Sequence, residues 1–305
     1  MTAELALGTY RCRAIPEAAA RAAASGAHWI DTAPNYATGQ AQSLLAPVLA
    51  SRPEVHIATK TGFFTAATGA DAVHAGVLTE DQAVAGHSLA PDYVRWQLGR
   101  NREQLGRERL DLVLLHNPER AHPGNRAALH QAIRDAFAVL EEEAAAGRVA
   151  GYGVATWAGL EEEAFTVAEL LALAAEAAGG RYHHLVAVQM PVSLVMMTPI
   201  VQALGSRGPL PAAAGAGLRV MASAPLHGGE LPGMVDQELA DLIRPGLTPA
   251  QACVLATASC PGVTNVLIAA SSAPDWREAA DAVAQLPLTA AKLREVTGVL
   301  ASPRP

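Results

Sequence analysis

The sequence predicts a (β/α)8 barrel in one domain spanning residues 1–305. Three observations carry that reading. Short β-rich runs alternate with longer helical stretches, and the runs number eight over the chain. No linker, fixed-period repeat or low-complexity tract divides them. Several runs are followed at once by a charged or proton-handling side chain, the pattern expected where parallel strands open onto one rim. A doubly wound sheet also has near-continuous apolar strands, and the strand count separates the two.

Leu5-Ala6-Leu7-Gly8-Thr9-Tyr10 is the first strand, followed by a helix opened by Pro16-Glu17 and closed near Gly26. The second strand is His28–Thr32, with a helix from about Gln40 to Ala50; Val55–Thr59 is the third. Thr61 to Ala90 shows no clear period and is expected to form a long lid loop over the mouth, with Phe63, Phe64, Val77 and Leu78 as apolar pocket candidates. A helix after Asp92 places Val94, Leu98 and Leu105 on one face, and Leu110–Leu115 is the fourth strand. Leu129, Ile133, Phe137, Leu140 and Ala144 recur at helical spacing between Arg126 and Gly147. Val149–Ala155, His184–Met190, Leu218–Leu226 and Asn265–Ala270 complete the strands, a helix covers 168–178, and the last runs from about Thr289 to Leu300.

Half of the 305 residues are hydrophobic and 17% are charged, which suits a sizeable core. Aromatic residues make up only 4%, leaving Ala, Val and Leu to fill the interior. A formal charge of −7 argues against nucleic-acid and anionic-membrane partners, which need clustered Lys and Arg. Cys12, Cys253 and Cys260 lack metal-ligand spacing; Cys253 and Cys260, in an Ala-rich apolar segment, read as buried unpaired thiols, and a reducing compartment is expected. No window approaches the roughly 18 apolar residues of a membrane span. With no signal-peptide pattern at the start, the chain is expected to be soluble and cytoplasmic.

Four side chains carry the chemistry: Asp31, Tyr36, Lys60 and His116. Singly, each has an ordinary reading as a turn former, a surface ring, an exposed charge or a loop imidazole. On neighbouring strand ends of one barrel they converge. A buried Lys60 needs a counter-ion, and Asp31 supplies it. The ammonium is expected to favour phenolate and lower the pKa of Tyr36 from about 10, tuning it to exchange a proton with an alkoxide. His116 can orient a carbonyl and stabilise charge on its oxygen. None of the four supplies a hydride, so redox chemistry requires a nicotinamide in the same mouth.

The chain resembles the aldo-keto reductases. The likeness runs from Leu7-Gly8-Thr9-Tyr10 through Gly26–Tyr36, Ala58-Thr59-Lys60-Thr61-Gly62, Leu110–Asn117, Gly151–Thr156, Val188-Gln189-Met190 and Ala222–Leu226 to Leu267–Ser272. It implies that Asp31, Tyr36, Lys60 and His116 form the family's catalytic tetrad. It also implies NADP(H) held extended over the strand ends without a Gly-rich phosphate loop, with NAD(H) as the alternative; Gly147, Gly151 and Gly153 indeed lack the dinucleotide fingerprint spacing. Cofactor contacts then fall on Thr156, Gln189, Ser223, Pro225, Leu226, Ser271, Ser272 and Arg277. Leu110–Glu119 looks most like members acting on sugars, lactols and pyridoxal.

Some positions depart from the pattern. Ser223 stands where many members stack an aromatic ring on the nicotinamide, and Thr156 where Asn is usual. Ala270, Trp276 and Ala279-Ala280 replace the basic residues and the Glu-Asn pair that hold the 2′-phosphate and adenine. With little chain after the last helix, 61–90 and 227–247 are expected to shape the pocket. The leading expectation is an NAD(P)H-dependent oxidoreductase interconverting a small carbonyl compound (aldehyde, ketone or lactol) and an alcohol. The alternatives are an enzyme on the same scaffold doing non-redox acid–base chemistry (elimination, isomerisation or cyclisation) and a non-catalytic regulatory subunit. Oligomeric state is not legible.

Overall fold

The computed structural model describes residues 3–301. In chain order its elements are β1 (Glu4–Gly8), α1 (Ile15–Ala24), β2 (Trp29–Asp31), α2 (Ala41–Ser51), β3 (His56–Thr61), α3 (Ala66–His74), α4 (Glu80–Val84), α5 (Pro91–Leu105), β4 (Leu112–His116) and α6 (Arg126–Ala145). Then follow β5 (Tyr152–Ala155), α7 (Val167–Ala177), β6 (Leu185–Pro191), α8 (Thr198–Leu204), α9 (Pro209–Gly215), β7 (Arg219–Ser223), α10 (Gln237–Ile243), α11 (Pro249–Ala258), β8 (Asn265–Ile268), α12 (Ala273–Val283) and α13 (Ala290–Ala301). The eight strands are parallel, each pairs with the next, and β1 pairs with β8 to close a barrel. The (β/α)8 expectation is met.

Local chemistry explains the boundaries. Pro16 and Pro91 open α1 and α5, where a missing N–H is no loss. Gly106 ends α5 in the left-handed region at φ 62°. Thr166 with Glu169 and Thr248 with Gln251 form capping boxes that start α7 and α11. The large core lies between the strands' outer faces and the helices. Inside the ring the filling mixes small and large apolar side chains: Ala6, Ala58, Leu112, Leu114, Ala155, Ala187, Met221 and Leu267. Gly153 is required there, because a Cβ would stand 2.2 Å from the Ala187 carbonyl oxygen and 2.8 Å from Leu114 Cδ2.

Three sequence expectations need correction. The 61–90 stretch is no irregular loop: it holds α3, capped by Thr65, and α4, whose Thr79 and Gln82 form a capping box. Phe64 and Leu78 do not line the pocket but bury with Ala72 and Tyr93 in a separate apolar cluster that docks this excursion on α5. Phe63 bridges His87 as an antiparallel pair and pins its base. The seventh strand stops at Ser223 rather than Leu226, since Ala224 turns into the left-handed region at φ 52°.

Candidate active site

Asp31 ends β2, Lys60 lies near the end of β3 and His116 ends β4, so the three share one rim of the barrel. Register sets their heights: Asp31 pairs with Ala58 and Lys60 with Leu114. Tyr36 follows on a short 3-10 turn, Tyr36–Gly39, that folds back over the mouth. Ala37 and Thr38 both take positive φ in that turn.

Lys60 is 1% exposed, and its Nζ donates to Asp31 Oδ1, Asp31 Oδ2 and the Thr32 carbonyl, each at 2.8 Å. Its ammonium sits 4.9 Å from the centre of the Tyr36 ring. The Tyr36 ring meets His116 edge-on at 5.9 Å and Tyr10 at 5.1 Å. Phe63 in turn stands edge-on to His116 at 5.0 Å. Phe63 is a pocket candidate from sequence, whereas Tyr10 enters there only as part of the family-like stretch Leu7-Gly8-Thr9-Tyr10.

A buried polar lattice holds Lys60 from behind. Asn101 of α5 donates its Nδ2 to the Lys60 carbonyl at 2.9 Å, while its Oδ1 accepts from Gln42 at 2.9 Å and Gln97 at 2.7 Å. Thr59 donates to Gln42 Oε1 at 2.6 Å, and Tyr93 to Gln97 Oε1 at 2.9 Å. The backbone of β3 is thus fixed on its outer side by side chains that no local motif marks.

Burial sets the protonation states. Tyr36 is pushed well above the ordinary phenol value, first by burial, then by the Asp31 carboxylate and Tyr10. This reverses the sequence expectation of a lowered value, because Asp31 answers the Lys60 charge while the whole ring is desolvated. His116 falls well below its ordinary value through burial, with Lys60 and His87 adding to the effect, so it is a neutral imidazole at pH 7. Burial also lowers Lys60, and Asp31 opposes that shift.

These groups stand at one end of a cavity of about 650 Å³. Its walls take in Asp31, Tyr36, His116, Thr156, Gln189, Ser223, Pro225 and Leu226, and it runs on past His227-Gly228-Gly229 to Ala269. Ser271, Ser272 and Arg277 are not among its lining residues. Ser271 Oγ accepts from the Arg13 backbone N–H at 3.0 Å, Ser272 Oγ caps α12 by accepting from Asp275 at 3.3 Å, and Arg277 is exposed.

Three further residues at this end of the barrel carry no mark in the sequence. Arg11 lines the cavity, with its guanidinium 5.5 Å from the Tyr10 ring. Arg21 donates its Nη2 to the Ser271 carbonyl at 3.2 Å, and its Nε is buried without a partner. Glu119 Oε1 accepts from Thr156 Oγ1 at 2.8 Å, Trp157 N at 3.1 Å and Ala158 N at 3.3 Å. No spacing rule flags Arg21 of α1 or Glu119, since their partners Ser271 and Thr156 lie far away in sequence.

The sequence is similar to those of known proteins. The model of the Aldo/keto reductase family matches residues 11–251. A D-threo-aldose 1-dehydrogenase from Pseudomonas sp is 29% identical over 138 residues, which are 43% of this chain and 40% of that protein. The match therefore spans less than half the length of that relative. With the family model covering most of a closed eight-stranded barrel that gathers Asp31, Tyr36, Lys60 and His116 at one mouth, the chain belongs to the aldo/keto reductase family.

Proposed function

We propose that the protein is an NAD(P)H-dependent oxidoreductase that interconverts a carbonyl, in an aldehyde, ketone or lactol, with an alcohol. The observation that carries this reading is the Lys60–Asp31 pair packed beneath the ring of Tyr36, opposite His116 on the cavity floor. The resemblance to an aldose dehydrogenase supports a sugar-like substrate.

The cavity suits a nicotinamide dinucleotide. It is lined by strand-end residues from Gly8 of β1 round to Ile268 of β8, and at Gly229, with φ 94°, even an added Cβ would meet nothing within 4 Å. Thr156, Gln189, Ser223, Pro225 and Leu226 are the residues to hold the cofactor's reactive half. When bound, the nicotinamide supplies or accepts the hydride. Arg21, set against the Ser271 carbonyl, gives the loop after β8 a positive charge that its own residues lack, which supports NADP(H) over NAD(H).

The chain's own residues manage the carbonyl oxygen and its proton. A phenol with a raised pKa is fully protonated at neutral pH, so Tyr36 is ready to donate to an alkoxide. As that proton leaves, the Lys60 ammonium beneath the ring stabilises the phenolate. His116 Nδ1 is buried without a partner, and a bare buried acceptor is tolerated better than a bare donor. The proton of the neutral ring is therefore assigned to Nε2, which can donate to the substrate oxygen.

Fluorescence titration with NADPH and NADH tests the reading; failure of both to bind at millimolar concentration removes it. A Tyr36→Phe variant is expected to keep its cofactor affinity and lose at least about a hundredfold in turnover. Undiminished turnover refutes the assigned proton donor, and product formed with no nicotinamide present refutes the redox reading.

A further inference from the structure

We infer that Glu119 is a positioning residue: it makes the subsite for the nicotinamide carboxamide purely hydrogen-bond accepting, so that the site selects the carboxamide by its –NH2 group. The inference rests on the cofactor reading above and adds a residue and a polarity to it.

The argument is a count of donors and acceptors. Glu119 Oε1 collects three donors, two of them the backbone N–H groups of Trp157 and Ala158. That oxygen can only accept, so the hydroxyl hydrogen of Thr156 must point at it, across 2.8 Å. The Thr156 oxygen also accepts from the Gly159 N–H at 2.8 Å. A hydroxyl has one hydrogen and two lone pairs. Thr156 therefore has one lone pair left, and no hydrogen, to offer the cavity it lines.

Gln189 is polarised the same way from the opposite side. Its Nε2 donates to Asp31 Oδ1 at 2.7 Å. Because Lys60 already bonds both oxygens of that carboxylate, Asp31 accepts and the Gln189 nitrogen must face it. The amide oxygen is then the end that turns to a ligand. The two residues sit side by side on the rim, since the Thr156 N–H donates to the Gln189 carbonyl at 2.9 Å and Ala155 pairs with Gln189 in register.

Two neighbouring acceptors fit one –NH2 with its two hydrogens. A methyl group in its place leaves both acceptors bare in a buried corner. Glu119 imposes half of this pattern without lining the cavity. Its other oxygen, Oε2, is buried with no partner, so Glu119 has no further bond on that side to define its role.

The experiment measures dissociation constants, not activity, by fluorescence quenching with three oxidised dinucleotides. These are NADP+, its thionicotinamide analogue, which keeps –NH2, and its 3-acetylpyridine analogue, which carries –CH3 instead. The wild-type protein is expected to bind the thio analogue within about threefold of NADP+ and the acetylpyridine analogue about 10- to 100-fold more weakly. In Glu119→Ala the Thr156 hydroxyl is free to rotate and donate to the acetyl oxygen, and the discrimination is expected to fall to about threefold or less. Glu119→Gln, whose amide oxygen can accept the same three donors, is expected to restore it. Thr156→Val removes the hydroxyl at constant shape and is expected to reduce the discrimination even if Glu119→Ala does not fold. Equal wild-type binding of NADP+ and the acetylpyridine analogue overturns the inference. So does a folded Glu119→Ala variant that discriminates as the wild type does. Failure of all three dinucleotides to bind is a different result, and it overturns the cofactor reading itself.

Discussion

Replacing Lys60 by Met isolates the buried ion pair at the cavity floor. The ammonium makes three contacts of 2.8 Å, and the paired side chains are only 1% and 5% exposed. Methionine has similar length and no charge, so the cavity is filled while Asp31 keeps one donor, Gln189 at 2.7 Å. Breaking one partner out of a buried pair destabilises by about 3–5 kcal/mol, and the surviving Gln189 bond places this case near 3 kcal/mol. Deprived of its cation, the buried Asp31 carboxylate is left uncompensated, and replacing it by Asn as well removes that charge. Urea unfolding midpoints of Lys60→Met and of Asp31→Asn/Lys60→Met at pH 8 provide the assay. Both variants lack Lys60, so its influence on His116 cancels between them. The double variant is expected to be the more stable by about 2 kcal/mol. A double variant no more stable than the single one refutes the reasoning.

Three other predictions rest on separate observations. Gly153→Ala forces a Cβ to within 2.2 Å of the Ala187 carbonyl oxygen, so a loss of about 4 kcal/mol or failure to fold is expected in thermal melts, against under 1 kcal/mol for an ordinary strand glycine. Asn101→Leu leaves the Lys60 carbonyl and two buried glutamine amides short of a partner. It is expected to cost about 3 kcal/mol in urea and to lower turnover about tenfold as β3 shifts, with cofactor affinity moving less than threefold. His116 and His87 both titrate below the ordinary histidine value, chiefly through burial, so the unfolded chain takes up their protons first. Stability should therefore fall as pH drops below about 6.5, by up to about 1.4 kcal/mol per pH unit for each histidine, and His116→Gln should flatten the slope; an unchanged slope contradicts the assignment.

The strands and the four convergent side chains were legible because both leave marks within a few residues. An apolar run followed by Asp31, Lys60 or His116 is a local pattern, and parallel closure then gathers all such ends at one rim. The helices of 61–90 left a weaker mark: Thr79-x-x-Gln82 is a capping signal present in the sequence, but the Ala and Gly around it carry little period. What no local pattern holds is depth. Tyr36 was expected to have a lowered pKa from its neighbour Lys60, and the sign reversed because the ring is buried as a whole. Glu119 and Arg21 are invisible for a related reason. Their partners, Thr156 and Ser271, lie 37 and 250 residues away, and only the closed barrel brings them together.

That burial has a consequence for how charge moves at the site. Lys60 and Asp31 sum to zero, while Tyr36 and His116 are neutral at pH 7. The floor of the cavity is therefore uncharged overall and matches an uncharged carbonyl compound. In the proposed reaction a negative charge arises there only when the carbonyl oxygen becomes an alkoxide, in a desolvated place where one ammonium is already fixed by three bonds. Preset dipoles and charges of this kind act on the developing charge more strongly than on the neutral reactant. Four of the eight apolar residues inside the barrel are alanines, Ala6, Ala58, Ala155 and Ala187, and Lys60 is buried in the same ring.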